Sequence, residues 1–283
     1  MKQSERNSLI ESVMRMPNGI VDRSIVICGD NMSVLSTMQS DSVDLVVTSP
    51  PYNNWRNRRT QKERSDYWER TNIVYDVYED KMSDADYQRS QVALINELVR
   101  VLKPGGTICY NHKDQIFNFK ATSPLEWILR SDAIFRQRVT WDRCGMQAYN
   151  PVRFYRIEED IYILGKAHGK PKWNADSAKN LSVWRVPPSR NVEGHPATFP
   201  PEIVRRCVEA FTDPGDIVLD PYNGIGTTTT VATRLGRVGI GIDISQAYCA
   251  IAAQHTGEIK NEAEQPALAH LEGEANAQWL EEP

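Results

Sequence analysis

The sequence has no run approaching the roughly 20 apolar residues needed to cross a membrane. Its opening, MKQSERNSLIESVMRMPNG, lacks the apolar core of a secretory signal. Cysteine is sparse and unpatterned: Cys28, Cys109, Cys144, Cys207 and Cys249 show no C-x-x-C spacing. That excludes a disulfide framework and a structural zinc site, and each thiol reads as a small buried apolar group. An excess of basic charge is missing too, with 37 acidic residues against 33 basic. The deficit is local, because residues 257–283 hold seven acidic side chains and one basic, leaving 30 and 32 in the rest. Such a body permits a nucleic-acid partner without demanding one.

What is present is an ordinary soluble composition, 40% hydrophobic and 25% charged, in a chain of 283 residues that suits one large domain or two small ones. Short apolar runs alternate with helical patterns, the mark of a parallel sheet covered by helices. Strands are expected at Ser24–Cys28, Val43–Thr48, Thr107–Tyr110, Gln137–Asp142, Glu159–Leu164, Asp216–Leu219 and Val238–Ile242. Helices are expected at Asp84–Leu102, where Val92, Ile95, Leu98, Val99 and Leu102 share a face, and at Pro201–Phe211, Gly226–Leu235 and Ser245–Ala253.

Two loops carry chemistry. In DIVLDPYNGIGTTTT a strand ends at Asp220, and a turn with Gly224 and Gly226 leads into a helix. Glycines there let a ligand approach the backbone, and the helix N-terminus favours a carboxylate or phosphate. The next strand ends at Asp243, about 20 residues on, where an acid suits a ribose diol. A dinucleotide would fit this turn as well, although the third glycine of G-x-G-x-x-G is absent, and a strand-helix turn needs no ligand at all. The second loop, Thr48-Ser49-Pro50-Pro51-Tyr52, follows a strand directly. Two prolines cannot continue a central strand, so the chain leaves the sheet in a rigid loop at the strand's carboxyl end. There Ser49 offers a hydroxyl, Pro50 a fixed carbonyl and Tyr52 a flat ring. An exocyclic base amine is a poor nucleophile whose lone pair is delocalised; two acceptors for its hydrogens free that pair, and a ring can stack on a flipped base. A plain proline-terminated strand is the bland reading.

TSPPYN at 48–53 and DPYNGIG at 220–226 together resemble motifs IV and I of the DNA amino-methyltransferases, and their order resembles the circularly permuted β class. Gly29-Asp30, RVLKPGG at 100–106 and HPATFP at 195–200 fall in the places expected of that family, so the likeness spans about residues 24–256. The resemblance implies a Rossmann-like S-adenosylmethionine-dependent methyltransferase fold: an α/β chain, with a mostly parallel seven-stranded sheet and helices on both faces. It implies S-adenosyl-L-methionine as cofactor and no metal. Asp30 would bind the cofactor's adenine and Asp243 its ribose. Asp220, Tyr222, Gly224, Gly226, Thr227, His195, Thr198 and Phe199 would line its methionine end. Ser49, Pro50, Pro51 and Tyr52 would hold the target base. Tyr222 stands where the family usually has Phe, and Asp243 where it often has Glu. Serine at 49 accompanies cytosine N4 methylation more than adenine N6 methylation in this family. No cysteine follows a proline, so the nucleophile of the cytosine-C5 enzymes is missing.

The same likeness organises the chain into an N-terminal extension (1–23), a catalytic half (24–165), a target-recognition segment (166–193), a cofactor-binding half (194–256) and an acidic tail (257–283). DNA contacts are expected from Arg56, Arg58, Arg59, Lys62 and Arg64 in the polar, aromatic-studded stretch 53–72, and from Lys170 and Lys172. The expected partners are double-stranded DNA and a cognate restriction endonuclease, with no membrane. The protein would be a monomer or homodimer in the cytoplasm, encoded by a bacterium or phage. His112 and His255 read as surface or packing residues. The rival readings are a methyltransferase for RNA or a small molecule, an inactive DNA-binding module, and an NAD-dependent oxidoreductase.

Overall fold

Runs such as IVIC, VDLVVT and IVLD are apolar on both faces because the strands they form are covered on both faces. The computed structural model describes residues 24–53, 82–117, 119–145, 154, 156–176, 181–189 and 199–263. In chain order these form β1 (Ile25–Cys28), α1 (Asn31–Leu35), β2 (Val43–Thr48), α2 (Asp84–Val101), β3 (Leu102–His112), β4 (Gln115–Phe117), β5 (Lys120–Thr122) and α3 (Leu125–Ile128). Then follow β6 (Ile134–Asp142), β7 (Glu158–Gly165), β8 (Val183–Arg185), α4 (Pro201–Phe211), β9 (Ile217–Asp220), α5 (Thr227–Arg234), β10 (Val238–Asp243) and α6 (Gln246–Ala263).

The seven expected strands all lie in one sheet, ordered β1-β10-β9-β2-β3-β7-β6 and extended at the edge by β8. Neighbours from β1 to β3 run parallel, while β7 is antiparallel to both β3 and β6. The eighth strand comes from the segment read as target recognition: Val183–Arg185 pairs with Thr140–Asp142 of β6, so that stretch contributes to the scaffold. Strand β3 starts earlier than expected because α2 flows straight into it at Leu102. Its Lys-Pro-Gly-Gly turn is absorbed as an irregularity between the pairs Val43↔Leu102 and Leu45↔Thr107. Gly105 sits there at φ +87°, with Lys170 O only 2.5 Å from where a Cβ would stand.

Alternate residues divide the core. Ile27, Val46, Ile108, Tyr110, Leu219 and Ile242 face α1, α2 and α3. Leu45, Val47, Cys109, Val218 and Ile163 face α4 and α5, with α6 packed on α5 and against β1 and β10. Helix α2 is started by Ser83, whose side chain accepts from Asp86 N, with Asp84 and Asp86 in the first turn to suit the helix dipole. Among the described residues no helix is long and apolar enough to cross a membrane. Two cysteines depart from expectation: Cys28 is half-buried, and Cys144 is exposed after β6, at φ +53°.

The topology sets the site. After β2 the chain moves outward to β3, and after β9 it moves the other way to β10, so the switch in winding direction lies between β9 and β2. Open α/β sheets bind ligands in the crevice outside the carboxyl ends of strands at such a point.

Candidate active site

At this switch point the two loops singled out in the sequence are joined by hydrogen bonds. Thr48 Oγ1, the last residue of β2, donates to Asp220 Oδ1 at 2.8 Å, the last residue of β9. Asp220 also accepts from Tyr222 N at 3.0 Å and from Thr228 Oγ1 at 2.7 Å. Burial pushes this carboxyl from 3.8 up to about 6, against the pull of those three donors. The glycine turn between them is closed by Asp243, whose Oδ2 accepts from Gly224 N at 2.8 Å and Oδ1 from Ser245 N at 2.9 Å. Burial raises the Asp243 carboxyl as well. Gly226 caps α5 at φ +90°, where a Cβ would stand 2.8 Å from Ala252 Cβ; Thr227 then opens the helix.

Asp30 lies just beyond the end of β1, beside β10. Its Oδ1 caps α1 by accepting from Ser33 N and Ser33 Oγ, each at 2.8 Å, and Gly29 N donates to Asp243 O at 2.8 Å. Asp243 and Asp220 therefore end two neighbouring strands, β10 and β9, and Asp30 lies two residues beyond the end of β1, the next strand of the sheet. Tyr222 packs against the α2 face of the core, within hydrogen-bond reach of Asn31 and Gln91, and burial raises its hydroxyl pKa. Phe199 meets Trp141 of β6 edge-on, with centroids 6.2 Å apart.

The proline loop rests on a layer of polar and aromatic groups. Ser49 Oγ is 3.0 Å from Tyr52 OH, which donates to Glu159 Oε2 at 2.9 Å. Asn111 Nδ2 donates to Tyr52 OH (2.6 Å), Glu159 Oε2 (3.0 Å) and Ser49 Oγ (3.2 Å). Arg143 Nη1 pairs with Glu159 Oε1 at 3.1 Å. Burial first, then the Glu159 charge, raises the Tyr52 hydroxyl well above its ordinary value. The Tyr52 ring lies 4.4 Å from that of His112. His112 is wholly buried among Tyr87, Tyr110 and Trp127, and burial lowers its pKa to about 3. It is thus a neutral packing residue, with Nδ1 held by Lys113 O at 2.7 Å. Tyr87 OH donates to Pro51 O at 2.7 Å, and Gln115 Nε2 to Tyr52 O at 2.5 Å, so the backbone of the loop is clamped from two sides.

Ser49, Pro50, Pro51, Tyr52, Asp30, Asp220, Tyr222, Gly224, Gly226, Thr227, Phe199 and Asp243 all fall at this end of the sheet. Lys170 and Lys172 do not. Both lie at the opposite end, where Lys172 N donates to Gly105 O at 3.1 Å and Lys172 Nζ pairs with Asp213 (2.6 Å) and Asp216 (2.5 Å). Chain direction explains this placement: β7 is antiparallel, so the residues after it emerge beside the start of β3. His195, Thr198, Arg56, Arg58, Arg59, Lys62 and Arg64 lie outside the described residues. Sequence reading missed Thr48, Thr228, Asn111, Glu159 and Arg143. The signal for Glu159 was a run of three acids, Glu158, Glu159 and Asp160, opening an otherwise apolar strand.

The DNA methylase family of the N6/N4 type matches residues 43–254. The type II methyltransferase M.BglII of Bacillus subtilis is 31% identical over 263 residues, covering 80% of this chain and 67% of that protein. The PvuII DNA methyltransferase, cytosine-N4-specific, superposes with a TM-score of 0.64 at 17% identity, over 84% of this chain and 90% of that one. The Thermus thermophilus protein TTHA0409, complexed with S-adenosyl-L-methionine, gives a TM-score of 0.60 at 23% identity, over 83% and 94%. With the family match extending over most of the chain and the joined proline and glycine loops at its switch point, the protein belongs to the N6/N4 DNA methylase family.

Proposed function

We propose that the protein is a site-specific DNA methyltransferase that transfers a methyl group from S-adenosylmethionine to N4 of a flipped cytosine in double-stranded DNA. The observation that carries this reading is the bond from Thr48 to Asp220, which brings the base-holding loop and the cofactor loop to one crevice. The residues present fit the cofactor: Asp243 has acceptor capacity for a ribose diol beyond its two backbone donors, and α5 offers its N-terminus to a carboxylate. When bound, the cofactor supplies a methyl group on a positively charged sulfur, an electrophile with its leaving group built in.

The chain's own residues then position and polarise. Ser49 Oγ and Pro50 O accept the two amine hydrogens, leaving the nitrogen lone pair directed at the methyl carbon. Tyr52 supplies the ring against which the base rests. The proton of the methylated amine leaves after transfer, so Ser49 acts as an acceptor and not as a base. Serine in place of an acid or amide at position 49 favours cytosine over adenine. The type II relatives make a cognate restriction endonuclease part of the same reading.

Nucleoside mass spectrometry of DNA from cells expressing the chain tests this, beside Ser49→Ala and Tyr52→Ala variants. N4-methylcytosine that disappears in the variants is the expected result. N6-methyladenine would overturn the base assignment. Neither product, from folded protein that binds S-adenosylhomocysteine, would overturn the function.

A further inference from the structure

We infer that Glu159 is a positioning residue that holds Ser49 as a hydrogen-bond acceptor, acting through the hydroxyl of Tyr52 and the amide of Asn111. The inference rests on the methyl-transfer reading above and adds a residue to it. Glu159 is 6% exposed and stands on β7, the strand that runs against the parallel set, opposite Trp141 of β6. One of its oxygens is held by Arg143 at 3.1 Å. The other faces Tyr52 OH at 2.9 Å and Asn111 Nδ2 at 3.0 Å.

Proton counting then fixes the polarity of the whole group. A carboxylate only accepts, so the single Tyr52 proton points to Glu159 and the phenol oxygen offers only lone pairs to its other neighbours. Ser49, 3.0 Å away, must therefore donate its own proton to Tyr52. The Asn111 amide is oriented in the same way: its nitrogen must face the carboxylate, and its second hydrogen is shared by Tyr52 OH (2.6 Å) and Ser49 Oγ (3.2 Å). Among the described residues Asn111 Oδ1 meets no donor, so the orientation is imposed from the nitrogen side. With its proton committed and at most one lone pair engaged by Asn111, Ser49 keeps a lone pair for the hydrogen of a base amine. Reversing the chain would turn the Tyr52 proton onto Ser49 and occupy that position.

Glu159→Gln performs the reversal with little change of shape. Arg143 draws the amide oxygen to its side, so the new NH2 faces Tyr52 OH and Asn111 Nδ2, donor against donor. The single-turnover rate of methyl transfer at saturating S-adenosylmethionine is expected to fall about 100-fold, the scale of one misdirected polar contact at a reacting centre. Affinity for S-adenosylhomocysteine is expected to stay unchanged, which a merely structural role would not allow. Tyr52→Phe keeps the ring but cuts the chain; it should be about 10-fold slower, and the double variant no slower than Glu159→Gln alone. A Glu159→Gln rate within threefold of the parent, or two losses that multiply, would overturn the proposal. Were Glu159→Gln to misfold, Tyr52→Phe at full rate would do the same. Failure of the parent protein to methylate DNA overturns the function and this inference with it, whereas an active parent isolates the inference.

Discussion

Replacing Asp220 by Asn should stabilise the cofactor-free protein at neutral pH while weakening its function. Asp220 is enclosed at the end of β9, and burial raises its pKa from 3.8 to about 6. A shift of that size corresponds to about 3 kcal/mol between the protonated and ionised forms. In the window between those values the folded chain retains a proton that the unfolded chain has released. Stability is therefore greatest below 3.8, falls as pH rises through the window, and stays low above about 6. Asparagine has no such slope. Its oxygen can accept from Thr48 Oγ1 and Tyr222 N as before, and its NH2 can donate to Thr228 once that hydroxyl turns. Allowing about 1 kcal/mol for that rearrangement, the variant should gain about 1–2 kcal/mol at pH 7.5, or about 2–6 °C in midpoint.

The assay is thermal unfolding of the parent and Asp220→Asn from pH 4.5 to 8, read as the difference between the two so that other titrating groups cancel. The difference should favour the parent or vanish at the acid end, then swing toward the variant and level off above pH 7. A difference that does not change with pH, or a variant less stable at pH 7.5, would refute the reasoning. The same variant should bind S-adenosylmethionine more weakly relative to S-adenosylhomocysteine, because only the former carries a positive charge for the carboxylate to favour. Stability and function then move in opposite directions, as expected where a buried charge is kept for its ligand.

Gly226→Ala should lower the unfolding free energy by about 1–3 kcal/mol, since the residue holds φ +90° and its Cβ would stand 2.8 Å from Ala252 Cβ; chemical denaturation measures it, and a neutral effect would mean that α5 and α6 can separate freely. Lys172→Met should leave DNA affinity in a fluorescence-anisotropy titration unchanged, because Lys172 is held by Asp213 and Asp216 at the far end of the sheet. A drop in affinity with a reduced salt dependence would place DNA at that end after all.

The elements most legible in the sequence were those with a single cause. Val43–Thr48 and Pro201–Phe211 have the expected limits, the first because an apolar run is cut off by two prolines, the second because proline opens the helix and a 3.6-residue apolar stripe fills it. Strand β3 was read too short because Pro104-Gly105-Gly106 carries every local sign of a loop. In the sheet those residues bulge out while the chain on either side stays paired with β2. The three-residue β8 and the hairpin of β4 and β5 are too short to show any period.

The site divides along the same line. Asp30, Ser49, Asp220 and Asp243 were legible as candidates because each lies at or just beyond the end of a strand, where the sequence changes from apolar to polar. Glu159 and Asn111 belong to the site through pairing, not through sequence proximity: β7 approaches the crevice with its first residues instead of its last, because it alone among the central strands runs backwards. The reversal also explains why Lys170 and Lys172 lie far from the crevice, since the rule that brings the carboxyl end of each parallel strand to the ligand sends the carboxyl end of β7 away from it. One antiparallel strand thus delivers a carboxylate under the proline loop and carries the following segment away from the crevice. Both consequences depend on a strand direction that no local pattern of residues encodes.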